Sequence, residues 1–285
     1  MQGLVGALAL GGAVLYPFLE TRWFRVKRLS VTVQRKITPL KVLHISDTHL
    51  SGRDRALLRF LHRLPAMIGE VDIVAATGDL IEDDSGIEPI TAALNALPAR
   101  IARGYVLGSH DYYQARFQSY LKYFGNRKRP LEAPHADTPD LERRLREAGW
   151  ISLTNSSEVI ASEAGVIRMA GVDDPFLSRH STAHILRSPG EVLAIGLAHS
   201  PDVVSEWMLN GFDLVLSGHT HAGQVRIPGI GALVTNSALP AALAGGLHPI
   251  GSAWLHVSPG LGTGRFAPIR FNCRPEVTVL EISGS

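Results

Sequence analysis

The run Val42-Leu43-His44-Ile45-Ser46-Asp47-Thr48-His49 decides how this chain is read: an apolar stretch of strand type stops abruptly at a carboxylate and an imidazole. Side chains alternate across an extended backbone, so Asp47 and His49 project from one face, where two ligands of a metal ion can converge. Two ligands do not close a site, and the others must come from elsewhere. Three later stretches have the same form, a hydrophobic run that ends in a ligand type. They are Asp72-Ile73-Val74-Ala75-Ala76-Thr77-Gly78-Asp79, Tyr105-Val106-Leu107-Gly108-Ser109-His110-Asp111 and Asp213-Leu214-Val215-Leu216-Ser217-Gly218-His219-Thr220-His221, with Leu193-Ala194-Ile195-Gly196-Leu197-Ala198-His199 before the last. Gly78 lets the backbone turn where its strand stops, which brings Asp79 to the carboxyl edge of a sheet, where open α/β sheets bind ligands. His219 and His221 are the most specific piece, since two imidazoles on one face are ready divalent-metal ligands.

The order Asp-x-His, Gly-Asp, Gly-(Asn)-His-Asp, His, Gly-His-x-His resembles the calcineurin-like metallophosphoesterase superfamily. Val257-Ser258-Pro259-Gly260-Leu261-Gly262-Thr263-Gly264, followed by Pro268-Ile269-Arg270 and a closing strand, resembles its bacterial membrane-associated branch, and the likeness spans roughly residues 38–283. The resemblance implies an α/β fold of two facing mixed β-sheets flanked by helices, a four-layer α/β/β/α sandwich. It implies that Asp47, His49, Asp79 and His221 hold one divalent ion, and that Asp79 bridges to a second ion held by Ser109, His199 and His219. His110 then lies outside the ligand set and gives a proton to the leaving oxygen, oriented by Asp111. The chemistry that follows is hydrolysis of a phosphate ester or anhydride by a hydroxide activated at a dinuclear centre. Mixed oxygen and nitrogen donors suit Mn, Fe or Zn and do not choose among them. Ser109 departs from the family pattern, which has Asn there; a neutral hydroxyl is a poorer ligand than an amide carbonyl, so the second ion is expected to be held more weakly or through a water.

A length of 285 residues with 45% hydrophobic composition is ample for one large core. The charge of +2, from 28 basic and 26 acidic residues, is too balanced for a nucleic-acid-binding surface. The single cysteine, Cys273, excludes an intrachain disulfide and a zinc site built on a cysteine pair. Gly3 to Leu19 carry no charge and as a helix would reach about 25 Å, near the lower limit for crossing a bilayer. Positive charge comes only afterwards, at Arg22, Arg25, Lys27 and Arg28, with Trp23 and Phe24 beside it as in an interface belt; a cleavable signal would begin with positive charge. The expected organisation is therefore a membrane anchor with a basic flank over 1–28, in contact with lipid, and a catalytic domain over 29–285 on the cytoplasmic side of the cell membrane. A core helix packed on the domain is the other reading of the same run.

Residues 29–41 read as a lead-in strand and turn. Asp54 to Leu64 is a helix with Leu57, Leu58, Leu61 and Leu64 on one face and Arg53, Arg55, Arg59 and Arg63 opposite, stopped by Pro65. A strand then resumes, which makes a βαβ unit and a parallel sheet. Further helices are expected over Ile90 to Leu97 and from Asp137-Thr138-Pro139 to Gly149. Glu82, Asp83 and Asp84 read as a solvated acidic loop and are set aside from the site. The stretch 112–149, aromatic and basic at its start, is a candidate cap over the substrate. Strands near 150–154, 159–160, 166–172, 192–197, 213–216, 254–257 and 277–282 read as a second sheet facing the first. Asp173-Asp174-Pro175 reads as a turn, and His180 and His184, one helical turn apart, as surface residues. The apolar stretch 223–251 is a candidate wall for an acyl chain, and Gly260 to Gly264 is a weak phosphate-loop signal with no helix behind it.

These readings predict a membrane-associated, metal-dependent phosphoesterase acting on a phosphodiester or pyrophosphate, with a lipid-linked compound as the substrate class. The alternatives are a soluble-substrate phosphomonoesterase or nucleotide phosphodiesterase, and a binding protein that keeps the fold but has lost turnover through the change at Ser109.

Overall fold

Two six-stranded sheets face each other across an apolar core. The computed structural model describes residues 15–114 and 133–285. The first sheet contains Arg25–Val33 (β1), Leu40–Ile45 (β2), Val71–Thr77 (β3), Ala99–Val106 (β4), Ile151–Ser152 (β5) and Glu276–Gly284 (β14), in the order β1-β14-β2-β3-β4-β5. The second contains Ser156–Ser162 (β6), Gly165–Gly171 (β7), Glu191–Leu197 (β8), Leu214–Ser217 (β9), Gly246–Ile250 (β12) and Ala253–Val257 (β13), in the order β12-β13-β9-β8-β7-β6. A small hairpin of Arg226–Ile227 (β10) and Gly231–Ala232 (β11) stands apart. The inner strands β2-β3-β4 and β13-β9-β8-β7 run parallel. Their carboxyl ends therefore open along common edges, where the site is built.

Alternation in the strands sorts the core into layers. Val42, Ile73 and Leu280 of the first sheet meet Ile195, Leu197 and Leu216 of the second. Leu43 and Val74, one residue on, point the other way and pack against Arg55–Ile68 (α1), Ile87–Asn95 (α2) and, beyond the four-residue Ser109–Tyr112 (α3), Thr138–Glu147 (α4). Trp207, from Val204–Leu209 (α5), and Phe212 cover the outer face of the second sheet, where they pack with Val215 of β9. The result is the four-layer α/β/β/α sandwich that the sequence implies. Truncating a fully buried leucine of α1, such as Leu61 to Ala, costs ~2–5 kcal/mol.

Several expectations are corrected. Pro65 does not stop α1, whose N-cap Asp54 accepts from Leu57 N and which runs on to Ile68; in the last turn a missing N–H removes one bond, and Gly69 closes the helix onto Pro65 O. The final strand, β14, joins the first sheet between β1 and β2. Val277 and Val279 face the helices while Leu280 and Ile282 face the second sheet, and a strand apolar on both faces belongs inside a covered sheet. β5 likewise pairs with β4 of the first sheet. The first sheet begins at Arg25, so part of the basic flank is structural, with Arg25 on Glu276 at 2.6 Å. Within the candidate cap 112–149, Leu141 and Leu145 of α4 are buried in the core; residues 115–132, which hold most of its aromatic and basic residues, lie outside the described residues. His180 and His184 sit in an irregular loop rather than on a helix, and His184 Nε2 donates to Gly171 O at 2.8 Å.

Residues 1–14 of the expected anchor also lie outside the described residues, and no described helix is long and apolar enough to cross a membrane. Residues 15–20 are helical and dock on the domain. Tyr16 packs edge-on to Phe271 at 5.5 Å, and the buried Glu20 carboxylate accepts from Asn272 N and Cys273 N.

Candidate metal centre

Every expected ligand follows a strand end. Asp47 and His49 follow β2, Asp79 follows β3, Ser109 and His110 follow β4, His199 follows β8, and His219 and His221 follow β9. The loops are locked together by their backbones: Asp47 N bonds Gly78 O, His49 N bonds Asp79 O and Gly218 N bonds His199 O, each at 2.9 Å. The two sheets are tied at this point, since His219 N donates to Asp47 Oδ1 at 3.0 Å. Gly218 sits against Asp47, and a Cβ there would fall on its Oδ2. Asp47, His49, Asp79, His219 and His221 all have φ between 42° and 67°, a region that costs a residue with a side chain ~1–3 kcal/mol. Strain gathered at five neighbouring polar residues marks a functional site rather than a packing accident.

Among the described residues, three groups of side chains lie close enough to hold an ion: Asp47 with His49 and His221, Asp47 with Asp79 and His199, and His49 with Asp79 and His110. His49 Nε2 and His221 Nε2 face each other at 3.2 Å, and Asp47 Oδ1 lies 3.7 Å from the latter. Asp79 Oδ2 stands 3.5 Å from His49 Nε2 and 3.3 Å from His199 Nε2. The far ring nitrogens are already engaged. His49 Nδ1 meets Glu82 Oε2 at 2.9 Å, His199 Nδ1 donates to Thr77 O at 2.7 Å, and His219 Nε2 donates to Asn236 O at 3.1 Å. A carbonyl only accepts, so in the neutral rings the lone pairs fall on His199 Nε2 and His219 Nδ1. His199 Nε2 is buried with no hydrogen bond among the described residues. One ring nitrogen fixed by an outer acceptor, with the other turned towards carboxylates, is the arrangement of metal-binding imidazoles, and the donor set fits a divalent ion.

The side chains of the cluster divide in charge. Burial opposes the charged form of His49, but the Glu82 hydrogen bond and Asp79 outweigh it and lift the ring to about 9. His199 is likewise raised well above its ordinary range, Asp79 overcoming burial. His219 is lowered to about 4 by burial and by the charge on His199, and His221 falls well below its usual value through burial, His49 and Arg270.

The remaining expected residues divide in the same way. Ser109 is buried at the start of α3, between Gly108, where a Cβ would strike Asp79, and His110, whose N–H donates to Asp79 Oδ1 at 2.7 Å. His110 packs edge-on against His49 at 4.6 Å and is half-buried, with Nδ1 3.6 Å from Glu82 Oε2. Asp111 is turned to structure instead. Its carboxylate accepts from Leu80 N, Ile81 N and Gly108 N, and burial followed by the charge of Asp79 pushes it up to about 7. The carboxylate beside His110 is Glu82, set aside in the sequence because an acidic run after a strand reads as solvated. It is buried because Leu50 and Ile81 form a bridge that folds the run inward. Arg270 was also missed. It is fully buried, with Nη2 on the carbonyls of Pro259, Gly260 and Gly262, so it staples the 259–262 loop beside Asp47, and it lies 3.5 Å from His221 Nδ1. That loop packs on backbone, with Gly262 N on Asp47 O at 2.7 Å.

Behind the candidate ligands runs a buried polar seam. An ionised Asp47 only accepts, so Ser46 donates to Asp47 Oδ2, Thr77 donates to Ser46 at 2.7 Å, and His44 Nε2–H donates to Thr77 at 2.9 Å. His44 Nδ1 is then bare and accepts from His256 Nδ1–H at 2.7 Å. Both rings are neutral, His44 being lowered to about 3 by burial.

The chain belongs to the calcineurin-like phosphoesterases, whose family model matches residues 40–223, more than half of the sequence. It is a hydrolase of phosphoric ester or anhydride bonds, in a family that uses divalent metals. It is 30% identical to the uncharacterized metallophosphoesterase YkoQ of Bacillus subtilis over 96% of this chain and 98% of that one. It is 32% identical to the phosphodiesterase YaeI of Escherichia coli over 56% of each chain. To the UDP-2,3-diacylglucosamine pyrophosphatase LpxG of Chlamydia trachomatis it is 27% identical, over 92% of this chain and 90% of that one.

Proposed function

We propose that this protein is a dinuclear phosphoesterase that hydrolyses a phosphodiester or pyrophosphate bond in an amphiphilic, lipid-linked substrate at a membrane. In this reading Asp47, His49, Asp79 and His221 hold one divalent ion, and Asp79, His199, His219 and Ser109 hold the second. Asp79 carries the proposal, because its Oδ2 lies within 3.5 Å of His49 Nε2 and 3.3 Å of His199 Nε2, one from each proposed set. Mn, Fe and Zn all match the donors. A bound ion pair supplies Lewis acidity towards phosphoryl oxygens and an acidified water.

The chain's own residues do the rest. His110, half-exposed at the rim of the cluster, reaches the leaving oxygen and gives it a proton, while Glu82 holds the His110 and His49 rings in register. Arg270 keeps a positive charge beside His221, which favours the neutral, ligating ring. Similarity to a phosphodiesterase and to a pyrophosphatase of a diacylated sugar nucleotide supports a substrate with two groups on phosphorus and an apolar part. The uncharged residues 1–19 support a membrane location. The test compares hydrolysis of bis-p-nitrophenyl phosphate, p-nitrophenyl phosphate and a detergent-dispersed diacyl pyrophosphate by the Mn-loaded protein. Preference for the diester or pyrophosphate is expected; faster turnover of the monoester would replace this reading with a phosphomonoesterase.

A further inference from the structure

Nine of the fourteen exposed large hydrophobic residues among the described residues fall in three short segments, 15–23, 227–234 and residue 266. Leu15, Phe18, Trp23, Ile230, Leu233 and Phe266 are among them, with Ile230 70% and Leu233 59% exposed. The segments form one region. Tyr16 packs on Phe271 at 5.5 Å and Pro17 O accepts from Arg270 N at 2.8 Å. Phe271 in turn pairs with the hairpin, accepting from Arg226 N at 2.9 Å and donating to Gln224 O at 3.0 Å. Gln224 Nε2 reaches Ala267 O, beside Phe266.

This region adjoins the metal centre on two sides. The hairpin leaves directly from His221, and Arg265 N donates to Glu82 Oε1 at 2.7 Å. Its charge is one-sided. From His221 to Pro275 there is no Asp or Glu but four arginines, and of those Arg265 and Arg274 are exposed while Arg270 is buried. Glu20, the acid in the adjoining segment, is buried on backbone N–H groups, whereas Arg22 is exposed. The Arg265 guanidinium stands 3.9 Å from Asp83, while its backbone N–H holds Glu82. Residues 1–14 contain no charged side chain and enter the described chain at Leu15, on this same face.

We infer that residues 225–234, Phe266 and the face of residues 15–23 together seat on an anionic lipid bilayer, holding the mouth of the metal centre at the headgroup level. Exposed aliphatic and aromatic tips enter the acyl boundary while the flanking arginines meet lipid phosphates, the composition of an interfacial binding surface. The sequence argues for a bilayer as the occupant rather than a second copy, because the leader of residues 1–14, which precedes Leu15 of this surface, carries no charged side chain. The inference rests on the membrane part of the proposed function but not on its chemistry, so it is tested by binding alone.

Full-length protein carrying Ile230→Cys, labelled with a polarity-sensitive dye, is mixed with phosphatidylcholine vesicles with and without phosphatidylglycerol. Leu186→Cys, exposed and outside the three segments, is the reference. The dye at 230 is expected to shift to shorter wavelength with the anionic vesicles, less with the neutral ones, and not at 186. The pair Ile230→Asp with Leu233→Asp is expected to weaken partition into anionic vesicles by at least about tenfold, while Leu186→Asp leaves it unchanged. Vesicle binding with no response at 230 would mean the leader alone holds the protein and would overturn the inference. A response at 230 that needs only raised protein concentration, with no vesicles, would overturn it in favour of a second copy.

Discussion

His44 meets His256 and His49 meets His221 between the same two sheets, with ring nitrogens 2.7 and 3.2 Å apart, yet the two pairs are built for opposite ends. In the first pair every hydrogen bond from His256 to Asp47 has a consistent donor and acceptor, both rings are neutral, and neither residue has a positive φ. In the second pair two nitrogens face each other beside Asp47 and Asp79, one ring is driven towards its charged form and the other away from it, and both backbones are in the left-handed region. Burial of histidines is thus no sign of a metal. The sign is convergence of donors that cannot satisfy one another, held in place by strain.

If that contrast is right, the largest effects come from the unsatisfied cluster. Asp79→Asn and His221→Ala are each expected to reduce turnover to background while circular dichroism stays native; full activity in either purified variant would remove the dinuclear proposal. Glu82→Gln keeps the shape but weakens the acceptor behind His49, and a ~10–100-fold loss of metal affinity in a calorimetric titration is expected. An unchanged affinity would mean that Glu82 does not tune the His49 ring.

The seam from His256 to Asp47 should behave as structure. His44→Phe removes the donor to Thr77 and the acceptor for His256 Nδ1–H, and a loss of ~1–3 kcal/mol in urea unfolding is expected with metal content retained. Metal loss in that variant would place the seam within the site. The same residue gives a pH signature. Its folded pKa, about 3, lies below the unfolded value of 6.5, so the stability it lends is complete above pH 6.5 and is lost as pH falls from there towards 3. In chelator, the wild type should therefore lose up to about 1.4 kcal/mol per pH unit more than His44→Phe across that window. Parallel curves would show that His44 is not buried neutral.

The smallest expected effect is at Ser109. Replacement by Asn should lower the Mn concentration for half-maximal activity without necessarily raising turnover, if Ser109 is a ligand. A variant needing equal or more Mn would exclude it.

The candidate site was legible as a set of converging residues because each proposed ligand is a polar residue terminating an apolar run, and that pattern is local. What escaped depends on tertiary placement. Glu82 looks solvated until the Leu50–Ile81 bridge buries it, and Arg270 is a lone base in a glycine-rich tail until its guanidinium meets three carbonyls of the 259–262 loop. Asp111, adjacent to His110 in sequence, points away because α3 turns its carboxylate onto the backbone of Leu80 and Ile81. Sheet membership escaped for the same reason: the period-two pattern of β14 identifies a strand with two apolar faces but not its neighbours, which turn out to be β1 and β2.

Metal analysis of the purified protein by inductively coupled plasma mass spectrometry, for wild type and Asp79→Asn loaded side by side with Mn, tests the account most directly. Two ions per chain are expected in the wild type and at most one in the variant, since Asp79 is the carboxylate shared between His49 and His199. Two ions per chain in Asp79→Asn, or a fully active wild type carrying one, would contradict it.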